Sequence, residues 1–409
     1  MLNGRRIVLG ICGSVACYKA ADIASKLIQA GALVDAILTP AAANFITPLA
    51  IRSLTRRPVV ADMFDPESEL AEEHVELARR ADAVLIAPTS ATMIARLAHG
   101  LADEMVSLTV LATAAPVLLA PAMDAQMWAN PATQTNVALL ESRGVSFVGP
   151  AEGRLASGRM GQGRLESTEN ILGALRQVLG RDGDLARRRV VVSAGGTQEP
   201  IDPVRYVGNH SSGKMGYAIA EAARDRGAEV TLISTPTALA LPYGVRLAPV
   251  RTAGEMCEAV LRACSGADAL IMAAAVADFR PADVADQKIK KGSTGLTLEL
   301  ERTEDILEAV NRAQLDLIRV GFAAESEDLI VHAQEKIERK GLDLIVANDI
   351  TAADAGFGTD TNRVVLLDPE GGADALPLLS KYDVAQRLLD RVVDLLRRGR
   401  ASGSRIATP

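Results

Sequence analysis

Cysteines are few in this chain, long apolar runs are absent and positive charge is not in excess. Four cysteines in 409 residues form no C-x-x-C pair and do not reach the density of a disulfide-rich secreted domain. No apolar run approaches the roughly 20 residues that a membrane helix needs. The net charge is −7 and the basic residues are scattered, which argues against a nucleic-acid surface. We therefore predict a cytoplasmic protein with neither nucleic-acid nor membrane partners. The amino terminus lacks an A-x-A cleavage site, so we expect no signal peptide.

Apolar segments of strand length alternate with segments of helical period along nearly the whole chain. The clearest are RIVLGICG, ALVDAILTP, DAVLIAPTS, PVLLAPAM and VSFVGP in the first half, and RRVVVSAGG, EVTLIST, DALIMAAAV, LIRVGFAAE and LDLIVAND in the second. This alternation is typical of doubly wound, mostly parallel α/β sheets. The two halves also resemble each other, since Ala30–Pro40 matches Arg226–Pro236 and Ala81–Ala91 matches Ala267–Ala277.

Glycine and charge replace this periodicity in the segment GRDGDLARRR, Gly180–Arg189. We therefore predict two α/β domains of related, Rossmann- or flavodoxin-like architecture, over residues 1–180 and 189–400. A linker over residues 181–188 joins them. The last residues, 401–409, have nothing to bury, and we expect a disordered tail there.

The stretch YVGNHSSGKMG, Tyr206–Gly216, has the G-x-x-x-x-G-K spacing of a phosphate-binding P-loop. A P-loop places a Ser or Thr next, to hold Mg²⁺, and follows a buried strand directly. Here Met215 is the next residue, and the nearest strand-like run ends upstream at Gly196. The sequence therefore predicts a turn that opens a helix, and a helix N-terminus itself favours anions.

Glycine and hydroxyl residues follow several predicted strands of the first half. Gly13 and Ser14 follow the first strand and open a helix, while Thr39 and Ser90 end later strands. Ligands of open α/β sheets bind beyond the carboxyl ends of the strands, so these groups favour a mononucleotide site. Ordinary helix capping is the alternative. His74 lies among glutamates on a predicted helix, where a solvated surface residue is the alternative to a catalyst.

Longer motifs in both halves resemble known enzymes. The segments CGSVACYKA, His74 in its helix and the P-x-M-x-x-x-M-W frame at Pro121–Trp128 resemble the flavin-dependent cysteine decarboxylases, over about residues 6–180. The segments GGTQEPIDPVRYVGNHSSGKMG, AAAVADFRP, KIKK and GFAAE resemble phosphopantothenate–cysteine ligase, over about residues 188–399. Together the halves resemble the bifunctional coenzyme A biosynthesis proteins of bacteria.

The resemblance implies that the first half binds FMN and converts 4′-phosphopantothenoylcysteine to 4′-phosphopantetheine. Flavin oxidation of the thiol end supplies the electron sink that lets CO₂ leave. His74 is then expected to act as the acid/base group, a role that suits a side chain titrating near neutrality. This family builds its sites across subunit contacts, which implies a homo-oligomer through this domain. The residues implied in FMN binding are Gly13, Ser14, Thr39, Ser90 and Met127.

Two residues depart from the pattern of the resembling decarboxylases. Asp124 stands where they have an asparagine that binds the substrate carboxylate, and Ser157 stands where they have a cysteine that protonates the enethiol. An ionised Asp124 repels the substrate carboxylate, so it must either be protonated or bond to another group. A serine is also a far weaker acid than a thiol of pKa about 8.5. Ser157 lies in the glycine-rich segment Gly153–Ser167, which predicts a linker or a lid.

These departures leave three hypotheses open for the first half. It completes the decarboxylation, or it decarboxylates oxidatively and releases the enethiol, or it is a regulatory flavoprotein without activity. His74 weighs against the third hypothesis.

For the second half the resemblance implies ligation of cysteine to 4′-phosphopantothenate through an acyl cytidylate formed from CTP. Cations are needed there to offset the charge of the triphosphate, and Mg²⁺ is expected with it. The sequence assigns no protein ligand to that metal ion. Asn209 is expected to contact the activated acyl group. The residues expected to bind CTP are Asp278, Lys288, Glu304, Asp305, Ile306, Leu307, Phe322, Lys336 and Lys340.

Overall fold

The alternating apolar runs form parallel strands in both halves of the chain. The computed structural model describes residues 1–63, 73–291, 296–325, 329–349 and 358–401. It divides into two units, Met1–Gly180 and Arg181–Pro409, each with its own sheet. The tail expected at residues 401–409 lies, beyond Ala401, outside the described residues.

The first unit contains a six-stranded parallel sheet, a hairpin and the helices that cover the sheet. Its strands are β1 (Arg6–Ile11), β2 (Leu33–Leu38), β3 (Val59–Val60), β4 (Ala83–Thr89), β5 (Val117–Pro121), β6 (Ser146–Phe147), β7 (Ala151–Arg154) and β8 (Met160–Arg164). Its helices are α1 (Tyr18–Gln29), α2 (Pro48–Thr55), α3 (Glu73–Arg80), α4 (Ala91–His99), α5 (Met105–Ala112), α6 (Ala125–Ala129), α7 (Pro131–Ser142) and α8 (Thr168–Gly180). Short 3₁₀ helices cover Val15–Cys17 and Ala42–Asn44.

Burial on both faces explains why the strands of this sheet read as continuous apolar runs. Strand β4 is buried along its whole length. On one side of the sheet, Val8 and Ile86 belong to the same core cluster as Ile94 of α4 and Val106 of α5. The strands follow the order β3-β2-β1-β4-β5-β6, so the strand order reverses between β1 and β4.

The glycine-rich segment expected to be a loop instead forms the antiparallel hairpin β7–β8. A Cβ atom at Gly163 would lie 2.2 Å from the Met123 carbonyl oxygen, and one at Gly161 would lie 2.8 Å from the Ala125 Cβ. The Met123 N–H donates to the Gly163 carbonyl at 2.9 Å. These glycines therefore allow the hairpin to pack closely against the start of α6, a role that composition alone does not distinguish from loop flexibility.

In its described residues, the second unit has a larger sheet and three small two-stranded antiparallel sheets. Its strands are β9 (Arg189–Ala194), β10 (Gln198–Pro200), β11 (Tyr206–Gly208), β12 (Glu229–Ser234), β13 (Arg246–Pro249), β14 (Ala269–Met272), β15 (Phe279–Pro281), β16 (Leu300–Arg302), β17 (Ile318–Glu325), β18 (Leu344–Asp349), β19 (Thr361–Asn362), β20 (Val364–Leu367), β21 (Ala373–Ala375) and β22 (Leu379–Ser380). Its helices are α9 (Lys214–Asp225), α10 (Ala253–Cys264), α11 (Ile306–Arg312), α12 (Leu329–Lys340) and α13 (Lys381–Ala401).

The two sheets share one topology. The second sheet has the order β13-β12-β9-β14-β17-β18-β20-β21 and is parallel from β13 to β18, with β20 and β21 added antiparallel. When the strands of the two-stranded sheets are set aside, its first six strands repeat the order of the first sheet, with the reversal between β9 and β14. The predicted pair of doubly wound, mostly parallel α/β folds is confirmed, and the internal resemblance reflects this shared order.

Residues 181–188, expected to be a linker, lie in the second unit. Leu185 is fully buried in the core of that unit, and its N–H donates to the Arg226 carbonyl at 3.1 Å. The Arg226 guanidinium forms an ion pair with Asp184, and this contact lowers the pKa of the Asp184 carboxyl. The packing of the second unit therefore begins at Asp184.

Candidate active sites

The predicted cofactor residues of the first unit lie at the point where its strand order reverses. Gly13 and Ser14 follow β1, Ser90 follows β4, and Thr39 follows the neighbouring strand β2. A Cβ atom at Gly13 would lie 2.5 Å from the Ala41 Cβ, so glycine lets the loops after β1 and β2 approach each other. This is the location at which doubly wound sheets bind their ligands.

Two hydroxyl groups of this cluster, those of Ser14 and Ser90, also act as helix caps, which was the alternative interpretation. Ser14, Thr39 and Ser90 each accept a backbone N–H two or three residues further on, at 3.2 Å. Capping uses a lone pair of the hydroxyl oxygen, and its hydrogen can still be donated to a ligand. Hydroxyl donors beside the N-terminus of α4 fit the phosphate of a mononucleotide.

A cavity of about 580 Å³ lies beside the β7–β8 hairpin of the first unit. Ser14 lines this cavity together with Asp124 and Ser157. The structure thus brings together one predicted flavin-site residue and the two residues that depart from the decarboxylase pattern. Sequence reasoning missed three cations that also line it: Lys19, Arg154 and Arg164.

Asp124 and Ser157 contact each other. The Ser157 hydroxyl donates to Asp124 Oδ2 at 3.0 Å, and Asp124 Oδ1 caps α6 by accepting the Gln126 N–H at 3.0 Å. The Gln126 N–H and then the Ser157 hydroxyl lower the pKa of the Asp124 carboxyl. Asp124 is therefore ionised near neutral pH. Of the two arrangements expected for this residue, the structure favours the one in which it bonds to another group.

The other predicted residues of the first unit lie outside this cavity. His74 is half-buried on α3, and Met127 is exposed on α6. Neither is among the described residues that line the cavity, and the same holds for Gly13, Thr39 and Ser90.

A second cavity of about 580 Å³ lies in the second unit, beside the carboxyl ends of β14 and β17. Its wall combines main-chain segments after β14 and β16 with the start of α11 and the end of α12. Seven of the nine residues expected to bind CTP line it: Asp278, Glu304, Asp305, Ile306, Leu307, Phe322 and Lys340. Arg302 and Arg339 also line it, and sequence reasoning missed both, although Arg339 directly precedes Lys340.

Lys340 reaches the start of α11 and forms an ion pair with Asp305, with Nζ 2.7 Å from Oδ2. Asp305 caps α11, because its Oδ1 accepts the Glu308 N–H at 3.2 Å. Burial raises the pKa of the Asp305 carboxyl, but the Lys340 ammonium and the helix N–H groups outweigh it and lower the pKa overall. One wall of the cavity therefore holds a fixed pair of opposite charges.

Lys288 and Lys336 are not among the described residues that line this cavity. Lys288 is exposed in the segment between β15 and β16, and Lys336 is half-buried on α12, one turn before Lys340. Asn209 is closer to the cavity, since its Nδ2 donates at 3.2 Å to the carbonyl of Val276, which is a lining residue.

The glycine-rich loop that resembled a P-loop lies at the reversal point of the second sheet. Residues 195–213 separate β9 from α9, yet a Cβ atom at Gly213 would lie 3.4 Å from the Gly195 nitrogen. A Cβ atom at Gly216 would lie 2.7 Å from the Ser193 carbonyl oxygen, so this glycine lets α9 pack directly on β9. The Lys214 ammonium forms an ion pair with Asp360 at 2.7 Å. The loop thus returns to the end of β9, and its lysine is bound within the protein.

The described part of the chain shows neither a metal cluster nor a membrane span. No group of three or more His, Cys, Asp or Glu side chains is placed there to hold a metal ion. No helix there combines the length and the apolarity required to cross a bilayer. The four cysteines are buried free thiols, and burial raises the pKa of Cys12 and Cys264 to about 12.

Family models of known proteins match the two units separately. The family model described as Flavoprotein matches residues 1–180, and the model described as DNA/pantothenate metabolism flavoprotein C-terminal domain matches residues 185–396. The coenzyme A biosynthesis bifunctional protein CoaBC of Bacillus subtilis (strain 168) is 44% identical over 398 residues, which cover 97% of this chain and 98% of that protein. The chain belongs to the family of bifunctional coenzyme A biosynthesis proteins.

A further bifunctional protein and two solved structures also resemble the chain. The CoaBC protein of Mycobacterium tuberculosis (strain CDC 1551 / Oshkosh) is 44% identical over 408 residues, covering 96% of this chain and 97% of that protein. The solved C-terminal domain of a CoaBC protein is 39% identical over 53% of this chain and 99% of that chain, with a TM-score of 0.46. The FMN-dependent cysteine decarboxylase SpaF is 29% identical over 43% of this chain and 99% of that chain, with a TM-score of 0.38.

Family membership confirms the prediction of a bifunctional enzyme of coenzyme A biosynthesis. Its two activities are those of a phosphopantothenoylcysteine decarboxylase and a phosphopantothenate–cysteine ligase, carried by a flavoprotein domain and the domain that follows it.

Proposed function

We propose that the second unit joins cysteine to 4′-phosphopantothenate with CTP, and that the first unit then decarboxylates the product with FMN to give 4′-phosphopantetheine. The observation that carries the ligase step is the convergence of seven expected nucleotide residues on one cavity, although they come from four separate segments of the chain. Tertiary folding alone brings these segments together.

The charges of this cavity suit a nucleoside triphosphate with its metal ion. Lys340, Arg339 and Arg302 can offset phosphate charge as the carboxylate of phosphopantothenate attacks the α-phosphate. Carboxylates line the same cavity, among them Asp278 and Asp305. These negative groups favour the entry of CTP as its Mg²⁺ complex, in which the metal keeps several waters.

Asn209 supports a reacting centre at the edge of this cavity. Its amide bonds to the Val276 carbonyl, which connects the loop before α9 to the cavity wall. We assign Asn209 to the activated acyl group, because an uncharged amide can donate to an acyl phosphate without adding negative charge. Lys288 and Lys336 lie outside the cavity wall, and any role in CTP binding requires their side chains to reach the nucleotide from there.

The first unit offers a fitting site for FMN. We assign the phosphate to the hydroxyls of Ser14, Thr39 and Ser90 and to the N-terminus of α4, because these groups follow neighbouring strands and Gly13 lets the loops beside them approach closely. We also assign Met127 to this site. FMN supplies the two-electron chemistry that makes loss of CO₂ from the cysteinyl end feasible. In this proposal, residues of the chain bind the substrate, exclude water and exchange the proton with the substrate sulfur.

Within one chain His74 is not among the residues lining the cavity that contains Asp124 and Ser157. A site completed between copies of the chain accounts for this separation, and we propose a homo-oligomer formed through the first unit. Exposed apolar side chains of that unit support it, among them Tyr18, Leu49 and Met160. The buried free thiols suit a reducing compartment, and we place the enzyme in the cytoplasm.

Of the three hypotheses for the first unit, we propose that it completes the decarboxylation, but slowly, because of Ser157. Its hydroxyl bonds to Asp124 and is a poor proton donor to an enethiol. We therefore expect the oxidised enethiol, which lacks two hydrogens relative to phosphopantetheine, to accumulate transiently before it is reduced.

Mass spectrometry of the full-length protein tests both steps. With phosphopantothenate, cysteine, CTP and Mg²⁺, we expect pyrophosphate, CMP and phosphopantothenoylcysteine, followed by CO₂ and phosphopantetheine. The absorption spectrum of the purified protein should show bound flavin. Absence of any cysteine adduct at all Mg²⁺ concentrations would refute the ligase assignment. Phosphopantothenoylcysteine that persists beside bound flavin would instead favour a regulatory first unit.

A further inference from the structure

Three cations line the Asp124 cavity of the first unit: Lys19 on α1, Arg154 on β7 and Arg164 on β8. Among the residues that the structure describes, no carboxylate forms an ion pair with any of them. The single anionic side chain in the cavity wall is Asp124, and its two oxygens already accept bonds from Ser157 and Gln126. The lining side chains therefore carry an excess of positive charge.

Arg164 is exposed on β8, and its side chain passes over the neighbouring strand of the hairpin. The Cδ and Nη1 atoms of Arg164 lie 3.2 Å and 3.4 Å from the place where a Cβ atom of Gly153 would be. The arginine therefore lies flat across β7, over a glycine that leaves room for it. Its guanidinium, with five N–H donors, therefore lies at the hairpin beside the cavity, where it can bind a carboxylate through two parallel hydrogen bonds.

Lys19 lies close to this arginine and is half-buried. Its Nζ atom donates to the Leu165 carbonyl at 3.1 Å, next to Arg164 in the chain. Burial and then the charge of Arg164 lower the pKa of the Lys19 ammonium, and the carboxylates of Glu166, Asp22 and Glu169 offset this only in part. The two cations are therefore close enough to repel each other. An anion bound between them would relieve this repulsion.

A neighbouring cavity of about 620 Å³ also includes Lys19 and Arg164, but its wall has the opposite charge balance. Four carboxylates line it: Asp22, Glu152, Glu166 and Glu169. An anionic ligand is therefore favoured on the Asp124 side of the two cations, where the hairpin tip with Ser157 also lies.

We infer that Arg164, with Lys19, binds the carboxylate of the decarboxylase substrate, an inference that rests on the proposed function of the first unit. Asp124 is ionised and bonded within the protein, so it cannot hold this carboxylate by charge attraction. The substrate also carries a phosphate, and FMN carries another. The carboxylate is the better match, because the reacting end of the substrate must reach Asp124 and Ser157, which line the same cavity.

Binding of inert analogues to the full-length, flavin-loaded protein tests this inference. The serine analogue of the substrate, 4′-phosphopantothenoylserine, has no thiol to oxidise and is not turned over. The corresponding ethanolamide differs from it only by the missing carboxylate, and pantothenoylserine differs only by the missing phosphate. Calorimetry should give each Kd for the wild type, for Arg164→Gln and for Arg164→Lys.

We expect Arg164→Gln to raise the Kd of both serine analogues about tenfold, because a partly solvated charge-assisted contact is lost. The Kd of the ethanolamide should be unchanged, and Arg164→Lys should recover part of the affinity. Arg159→Gln is the matched control, because Arg159 is an exposed cation of the same hairpin that is not among the described lining residues.

Four results would overturn the inference. Equal weakening of the phosphorylated serine analogue and of the ethanolamide, with pantothenoylserine unaffected, would assign Arg164 to the substrate phosphate. Loss of flavin absorbance from the variant would assign it to FMN. If Arg164→Gln left the Kd of all analogues unchanged, Arg164 would be a solvated residue without a role in binding. An equal effect of Arg159→Gln would mean that the positive electrostatic field of the hairpin, and not a contact with Arg164, attracts the carboxylate. None of these measurements requires turnover. A wild type that binds the serine analogues but releases no CO₂ from the true substrate would therefore refute the proposed function alone.

Discussion

Gly163→Ala should impair decarboxylation while sparing ligation. The added Cβ atom would lie 2.2 Å from the Met123 carbonyl oxygen. Carbon and oxygen atoms seldom approach closer than about 3.3 Å, so the hairpin must retreat by about 1 Å from the start of α6. That displacement would pull Ser157 away from Asp124, which now accepts its hydroxyl at 3.0 Å.

Two magnitudes follow from this displacement. Overpacking of a close contact costs about 1–3 kcal/mol, which lowers the Tm of a domain of this size by roughly 2–4 °C per kcal/mol. A misplacement of about 1 Å at a reacting centre can lower the rate about 100-fold. We therefore expect a modest loss of stability and a much larger loss of kcat/KM for phosphopantothenoylcysteine.

The assay compares CO₂ release with CTP-dependent pyrophosphate release in the same preparation, because the second activity reports on the other unit. Gly158→Ala is the matched control. This hairpin glycine has a φ of +81° and open space around it, so alanine there adds backbone strain of about 1–2 kcal/mol without a clash. If Gly163→Ala decarboxylates as fast as the wild type, or if Gly158→Ala is equally slow, the close packing of the hairpin does not position the site.

Three further predictions concern charge and packing. Because the pKa of Asp124 is lowered, this residue stays ionised from neutral pH down through the usual range near 3.8 and loses its charge only below that. The wild-type KM for phosphopantothenoylcysteine should therefore show no Asp124 titration between about pH 5 and 8, while Asp124→Asn should lower that KM throughout. A KM that falls on acidification in the wild type but not in Asp124→Asn would contradict this. Lys340→Gln should raise the KM for CTP about tenfold in the pyrophosphate-release assay. Arg262→Gln, which removes the charge of an exposed arginine on α10, should leave that KM unchanged, and equal effects of the two variants would place Lys340 outside the site. A fragment of residues 181–409 should fold and should ligate cysteine to phosphopantothenate. In this fragment, Leu185→Ala should lower the free energy of unfolding by about 2–5 kcal/mol in denaturant titrations. A loss below about 0.5 kcal/mol would mean that Leu185 is not part of the core of the second unit.

The apolar strands of the two large sheets that we listed from the sequence were predictable because each is encoded locally. Parallel strands covered by helices on both faces are apolar along nearly their whole length, so β4 and β9 can be recognised in the sequence as short continuous apolar runs. The related architecture of the two units was also predicted, since similar segments repeat in sequence at Ala30–Pro40 and Arg226–Pro236. Family motifs then supplied residue roles that no periodicity contains.

The hairpin shows where local reading fails. Glycine is ambiguous, because the same residue supplies freedom to a loop and room for a close contact. In Gly161 and Gly163 the second use applies, and it depends on Met123 and Ala125, which lie far from them in the sequence. Leu185 is a similar case, since a single leucine among charged residues does not indicate that its side chain is buried in a core.

By itself, the sequence determined the fold class, the two sheets and the family to which the chain belongs. Only the tertiary structure decided which side chains meet: that Asp124 accepts the hydroxyl of Ser157, that Lys340 pairs with Asp305, and that Lys19 and Arg164 form a cationic pair in the Asp124 cavity. The physical reason is range. Hydrophobic periodicity and helix capping act over a few residues, whereas hydrogen bonds, ion pairs and pKa shifts depend on separations of a few ångströms between groups that are distant along the chain.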